Sequence, residues 1–532
     1  LIRRKPVMKK SSILGWVVGV TLSILLLATC AAPNFIKARE KAGPYNNYYP
    51  QQSGRDLASS SGAVLPPSTG GNAIPNGQAY DLTFFENYGV NPFIATEDED
   101  TSTFGMDVDT ASYTIARAYI QQGTLPDKDS VRTEEFVNYF RQEYPNPERG
   151  RVFSIITEGA ESRFGGPNYH LLRIGIKARD FNLNERPPAN MIFVVDCSGS
   201  MSLDNRLGQV KRTLMTLAEN LKPGDRIGLV IYGSRGDVLS DLTSNHDAIL
   251  RAIARLTPSG STNAAEGLGL AYGMARANFE GGKINRIILC SDGVANVGTT
   301  GADEILRQVK ADALNGITLT TIGFGMDNYN DILMEKLANH GDGCYYYVDS
   351  DEESRRLFDD GASQLLMVLA SDAKIQVEFN PETVDRFRLL GYENRMLNEE
   401  DFKDDTVDAG EVGAGQTVTA LYEVRIRDNA LESSRDKVAT VRVRFLNLLT
   451  GEIETENQQV NVRDMTREFD SASDSFQFTA AVAEFAEILR QSYWAQDGSL
   501  SDVLNVAENV ASRQEEEEFV DLVRQAIRLQ DT

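Results

Sequence analysis

Three separated stretches of this sequence carry oxygen-bearing side chains at spacings that suit a hard cation. Asp196-Cys197-Ser198-Gly199-Ser200 directly follows the apolar run 191–195. Its alternating Asp196, Ser198 and Ser200 offer one carboxylate and two hydroxyls to a common point, and Gly199 permits the sharp turn this requires. Gly260-Ser261-Thr262-Asn263 opens a helical stretch and brings the Thr262 hydroxyl. Ser291-Asp292-Gly293 follows an apolar run ending at Cys290 and brings a second carboxylate. Together, Asp196, Ser198, Ser200, Thr262 and Asp292 suit Mg2+ or Mn2+, which prefer octahedral oxygen shells and keep some positions for water. Two carboxylates neutralise such an ion, and an open position would still accept a carboxylate from a partner.

These residues need a scaffold that brings them to one edge. Between residues 190 and 349, short runs rich in Val, Ile and Leu (191–195, 227–232, 287–290, 317–322 and 345–348) alternate with helical stretches. Runs unbroken by polar alternation are what strands buried on both faces require. Leu207, Val210, Leu214, Leu217 and Leu221 share one face of the first helix, which Pro223-Gly224 ends. The expected fold class is therefore α/β, a doubly wound, mostly parallel sheet, in which ligands sit outside the carboxyl ends of the strands. Residues 238–242 follow too closely for a crossover and are expected as an antiparallel edge strand.

Ahead of this block, residues 110–122 and 130–144 have helical spacing, and 152–156 and 170–176 read as strands. Beyond it come a helix over 351–369, long alternating strands at 373–379, 416–426, 438–446 and 454–462, and amphipathic helices at 476–492 and 514–529. The later strands either pair with the earlier ones, making a β-sandwich into which the α/β block is inserted, or form separate flanking domains.

The pattern D-x-S-x-S, then Thr, then Asp-Gly, in this order on these strands, resembles the metal ion-dependent adhesion site of von Willebrand factor type A (VWA) domains. The resemblance implies that Asp196, Ser198 and Ser200 are direct or near-direct ligands, that Thr262 is a conformation-sensitive ligand, and that Asp292 acts largely through water. Cys197 stands where an aliphatic residue is more usual. Met106-Asp107-Val108-Asp109-Thr110-Ala111-Ser112-Tyr113, Glu134-Glu135-Phe136-Val137-Asn138-Tyr139-Phe140, Gly391-Tyr392-Glu393-Asn394-Arg395 and Asp408-Ala409-Gly410-Glu411-Val412-Gly413-Ala414-Gly415 are similar to segments of the YfbK group of bacterial VWA lipoproteins. That likeness runs through most of the chain after residue 80.

Rival chemistries are poorly represented. The 532 residues hold 53 Lys plus Arg against 77 Asp plus Glu, a net charge of −24, so a nucleic-acid partner is not expected. Four Cys and three His do not suit a disulfide scaffold or a zinc ribbon. No P-loop or G-x-S-x-G elbow occurs, and His170, His246 and His340 have no triad context. Asp107-Val108-Asp109-Thr110 is read as helix capping, not as a phosphatase motif. Arg235-Gly236-Asp237 is read as a turn. Cys197 and Cys290 end neighbouring strands, where buried free thiols are favoured over a disulfide.

The chain opens with Arg3, Arg4, Lys5, Lys9 and Lys10 before an apolar run at 13–28, the pattern of an export signal. Leu27-Ala28-Thr29-Cys30 resembles the bacterial lipobox, which implies lipidation at Cys30. Residues rich in Pro, Gly, Ser, Asn and Gln follow, as in a flexible tether. The division expected is a signal over 1–29, a lipidated tether over 30–79 and an N-terminal region over 80–188. A VWA domain over 189–370, a β-sandwich region over 371–465 and a helical region over 466–532 complete it. The function expected is an exported lipoprotein, anchored to the cell membrane or outer membrane, that binds an acidic group on a protein or surface ligand through its metal. It is read as a non-enzyme. A metal-independent envelope scaffold and a metal-dependent hydrolase are the alternatives, and no small-molecule substrate is expected.

Overall fold

The computed structural model describes residues 85–530 except 107, 166–167, 182–185, 220, 294–301, 326–330, 361–365, 408, 432–434 and 466–467. The expected signal, the Cys30 lipidation site and the tether lie outside the described residues. The chain enters through two short strands, β1 (Ile94–Ala95) and β2 (Thr101–Gly105), and two helices, α1 (Ala111–Gln121) and α2 (Thr133–Tyr139). A hairpin of β3 (Phe153–Glu161) and β4 (Tyr169–Ala178) follows.

The α/β block comes next: β5 (Ala189–Asp196), α3 (Arg206–Glu219), β6 (Arg226–Tyr232), β7 (Gly236–Thr243), α4 (His246–Ala254), α5 (Ala264–Ala277), β8 (Ile284–Ser291), α6 (Ala302–Ala313), β9 (Ile317–Gly323), α7 (Asp331–His340) and β10 (Tyr345–Tyr347). Its sheet has the order β10-β9-β8-β5-β6-β7, parallel except for β7 against β6. Every residue of β5 is buried, which explains its unbroken apolar sequence. The short link from Tyr232 to Gly236 makes β7 the antiparallel edge, as the spacing predicts.

The helix expected over 351–369 is corrected at its end: α8 (Asp351–Arg355) continues into a wider turn at Arg356–Asp360, residues 361–365 lie outside the described residues, and strand β11 already runs over Val368–Phe379. The apolar residues before Asp372 have helical spacing, but sheet partners claim them, with Val368 opposite Gly413 and Ala370 opposite Asn447. Asp372 takes a positive φ of 52° where the β11–β16 register shifts, so a bulge absorbs the change of pattern.

The remaining strands are β12 (Val384–Leu390), β13 (Met396–Leu397), β14 (Gly410–Gly413), β15 (Thr417–Ile426), β16 (Lys437–Asn447) and β17 (Glu452–Asn461). They complete two antiparallel sheets, β1-β12-β15-β4-β3 and β13-β2-β11-β16-β17, with β14 beside β11. β4 pairs with β15 along its length, Leu172 opposite Tyr422, so strands from both sides of the α/β block share one sheet and the block is an insertion. The sheets face each other through Phe379 stacked on Phe387 at 4.2 Å and Phe153 edge-on to Phe445 at 4.7 Å. Val418, Ala420, Tyr422 and Val424 point into this core, while Leu421 packs against the helices on the other side.

Those helices are α1 and α2 together with α9 (Asp474–Leu489), α10 (Leu500–Val510) and α11 (Gln514–Gln530). Phe140 meets Phe478 at 5.0 Å and Phe519 at 5.5 Å, and each such ring contributes about 1.5–3 kcal/mol by leaving water. Among the described residues, no helix is long and apolar enough to cross a membrane.

Buried ion pairs join the α/β block to this frame. Arg117 pairs with Asp349 at 2.6 Å and Arg132 with Asp331 at 2.8 Å. The capping role expected near Asp109 is corrected as well. Thr110 occupies the cap position of α1 without a side-chain hydrogen bond, while the Asp109 carboxylate accepts from the Tyr345 backbone N–H at 2.8 Å and from Arg395 at 3.1 Å. β10 is the buried edge strand of its sheet, and the carboxylate binds the backbone there instead of capping the helix. Asp107 lies outside the described residues.

Candidate metal centre

The strand order places β5 and β8 side by side where the direction of winding reverses, the crevice in which open α/β sheets bind ligands. Asp196 ends β5 and Asp292 follows β8, so the two carboxylates flank this point. Both are completely buried.

Each segment is fixed by local hydrogen bonds. The Ser198 amide donates to Asp196 Oδ1 at 2.8 Å, turning the chain back at the strand end, and the Ser198 and Ser200 hydroxyl oxygens come within 2.9 Å of each other. The Gly199 amide donates to the Gly260 carbonyl at 3.0 Å, and the Ser259 amide donates to the Cys197 carbonyl at 2.5 Å, so the loop carrying Thr262 is laced to the D-x-S-x-S turn. Gly260 has a φ of +81°, and a Cβ there would lie 2.1 Å from Ser234 Oγ. Only glycine fits this crossing. Thr262 is half-buried just ahead of Asn263, which caps α5 through the Glu266 amide. Ser291 Oγ donates to Asp196 Oδ2 at 3.1 Å and accepts from the Gly293 amide at 3.1 Å, setting Asp292 beside Asp196.

The structure thus gathers Asp196, Ser198, Ser200 and Asp292 by direct bonds and charge, and brings Thr262 to the same edge through its loop. Burial, reinforced by the charge of Asp292, pushes the Asp196 carboxyl up to about 7. The donor set consists of hard oxygens, two of them carboxylates, and fits a small divalent cation. Among the described residues, no group of three or more His, Cys, Asp or Glu side chains gathers at one point, so the hydroxyls are essential to this reading.

Sequence reasoning missed Arg206, Ser291 and Tyr232. Arg206, 1% exposed, donates from Nη1 to Asp292 Oδ2 at 3.1 Å. Its signal was available, because an arginine in the first turn of a helix opposes the helix dipole and needs an anion to hold it. Tyr232 lies opposite Asp196 on β6, and burial, with the charge of Asp196, pushes its phenol well above the usual range. Cys197 and Cys290 are buried free thiols, and burial raises Cys197 to about 12. Gly236 of the Arg235-Gly236-Asp237 tripeptide packs on α5, where a Cβ would lie 2.9 Å from Leu270, so a structural contact accounts for it.

The comparisons with known proteins agree with this architecture. Residues 190–360 match the von Willebrand factor type A domain, residues 80–173 a von Willebrand factor family model, and residues 364–529 the C-terminal region of the uncharacterized protein YfbK. The chain is similar to uncharacterized protein YfbK of Escherichia coli (strain K12), 34% identical over 440 residues, covering 79% of this chain and 76% of that one. It is also similar to inter-alpha-trypsin inhibitor heavy chain H1 of Sus scrofa, 33% identical over 193 residues, but spans only 21% of that protein. A solved von Willebrand factor type A structure from Catenulispora acidiphila is 14% identical, with a TM-score of 0.43, covering 72% of this chain and 91% of that one. This chain belongs to the YfbK family, with a von Willebrand factor type A domain at its centre.

Proposed function

We propose that this protein is an exported, lipid-anchored binding protein of the bacterial envelope and not an enzyme. In this reading Asp196, Ser198, Ser200, Thr262 and Asp292 hold Mg2+ or Mn2+, and the ion's open position takes an acidic group from a protein or surface ligand. The observation that carries it is the meeting of two buried carboxylates and paired serine hydroxyls at the sheet's switch point. A bound ion would supply a hard, electrophilic centre for an anionic oxygen. Asp196 and Asp292 would balance its charge, the Ser198 and Ser200 hydroxyls would turn toward it, and the laced loop would bring the Thr262 hydroxyl to the same edge. The VWA domain itself supports a protein-interaction role. Export and anchoring rest on the basic and apolar leader and on Cys30.

Crosslinking in cells tests the reading. Wild type should capture a partner that is lost with chelator and with Asp196→Ala, while circular dichroism shows the variant folded. Capture of the same proteins by both chains would leave a metal-independent scaffold as the answer. For the anchor, Cys30→Ser should abolish incorporation of radioactive palmitate.

A further inference from the structure

Arg206 is among the largest side chains buried to below 2%, and its position is costly on two counts. It opens a helix, where the dipole disfavours a cation, and it takes a guanidinium out of water. Two segments shape its seat. Asp292 after β8 accepts its Nη1. The Phe324 amide donates to the Ser291 carbonyl at 3.0 Å, tying the loop after β9 to the same strand end. Gly325, at a φ of +80°, leaves the space the guanidinium fills, since a Cβ there would lie 2.1 Å from Arg206 Nε. The seat is built for an arginine.

We propose that Arg206 is a resident cation that shares Asp292 with the divalent ion, lowering the site's affinity for that ion and leaving the loaded site with one positive charge in excess, so that its open position selects an anionic oxygen ligand. The inference rests on the metal-binding reading above. Two carboxylates alone cancel the charge of a divalent ion; with the guanidinium the sum is positive, and an acidic side chain restores neutrality, which strengthens the ion's own preference for anionic oxygen. Arg206 is a positioning residue, because it acts through Asp292.

The test is titration of the purified full chain in detergent with MnCl2 alone, followed by acetate titration of the Mn2+-loaded protein, read by calorimetry and electron paramagnetic resonance. Arg206→Gln removes the charge. Gly325→Ala crowds the guanidinium away from Asp292 and keeps the question answerable if the first variant does not fold. Each should tighten Mn2+ binding about tenfold and weaken acetate binding by a similar factor. Unchanged or weaker Mn2+ binding in both variants, with wild type still binding, overturns the role of Arg206 and leaves the metal site standing. No uptake by any of the three chains overturns the metal site and this inference with it. Uptake by the variants but not by wild type supports the arginine as the competing cation and overturns metal-dependent binding by the native protein.

Discussion

Two carboxylates, equally hidden from water, end in opposite states. Asp196 at the edge of the α/β sheet is pushed up to about 7, whereas Glu487 in the helical layer is held down at about 2. Burial pushes both upward, so the surroundings decide. Glu487 faces Arg388 at 3.0 Å and Arg490 at 3.4 Å and accepts from Thr133 Oγ1 at 2.9 Å. Arg388 also reaches Glu423 at 2.8 Å, which binds the helices to the sandwich. Asp196 instead faces another acid, Asp292, and accepts from an amide and a hydroxyl. The helical layer gives Glu487 two buried arginines, whereas the two acids at the sheet edge have Arg206 on Asp292, one guanidinium for two carboxylates. That shortage marks the place where a cation is wanted.

The contrast can be broken from the structural side first. Glu487→Gln should cost on the order of 2 kcal/mol in urea unfolding at pH 7, because Arg388 and Arg490 each lose one buried carboxylate partner and keep only Glu423 and Glu393, and should leave Mn2+ uptake unchanged. A loss below about 0.5 kcal/mol, typical of surface changes, would make the network ornamental.

Acidity sharpens it next, since the two groups carry opposite signs. The folded pKa of Glu487 lies below its unfolded value, so its contribution is present above about 4.5 and fades as pH falls toward 2. The advantage of wild type over Glu487→Gln should shrink accordingly between pH 5 and pH 3. Asp196 is raised in the folded state, so the metal-free protein should lose stability as pH rises from about 4 through 7. Asp196→Asn in chelator should flatten that fall, and a fall of the same slope in the variant would reassign it elsewhere.

The smallest effect concerns the thiols. Cys197, Cys290 and Cys344 are buried, and burial raises each pKa to about 12 or above. They should resist a thiol reagent in the native protein at pH 8 and react after denaturation without reductant; rapid native labelling would show an open sheet edge.

The sheet edge was legible because each strand's burial is written in its own residues. Residues 191–195 and 287–290 have no polar interruption, and D-x-S-x-S follows at once. The helical layer was legible only as amphipathic stretches, and α10 escaped notice. So did β12, whose Arg386 and Arg388 look unlike a buried strand until Glu423 and Glu487 are placed beside Arg388. Long-range charge compensation leaves no local pattern, since each partner alone reads as a surface residue. Arg206 differs, because its place in the first turn of a helix was itself a local signal.

The pairing of β4 with β15 also sets an order of events during synthesis. β4, paired on one side with β3, emerges long before β15, and its other edge must wait until the whole inserted block has been made. Folding of the insert draws its two ends together and so removes most of the loop-closure entropy the host sheet would otherwise face. The guest therefore templates its host. A fragment ended at residue 370 would keep β3 and β4 without β15, exposing a bare sheet edge prone to aggregation, whereas one cut to 187–360 carries no such orphan.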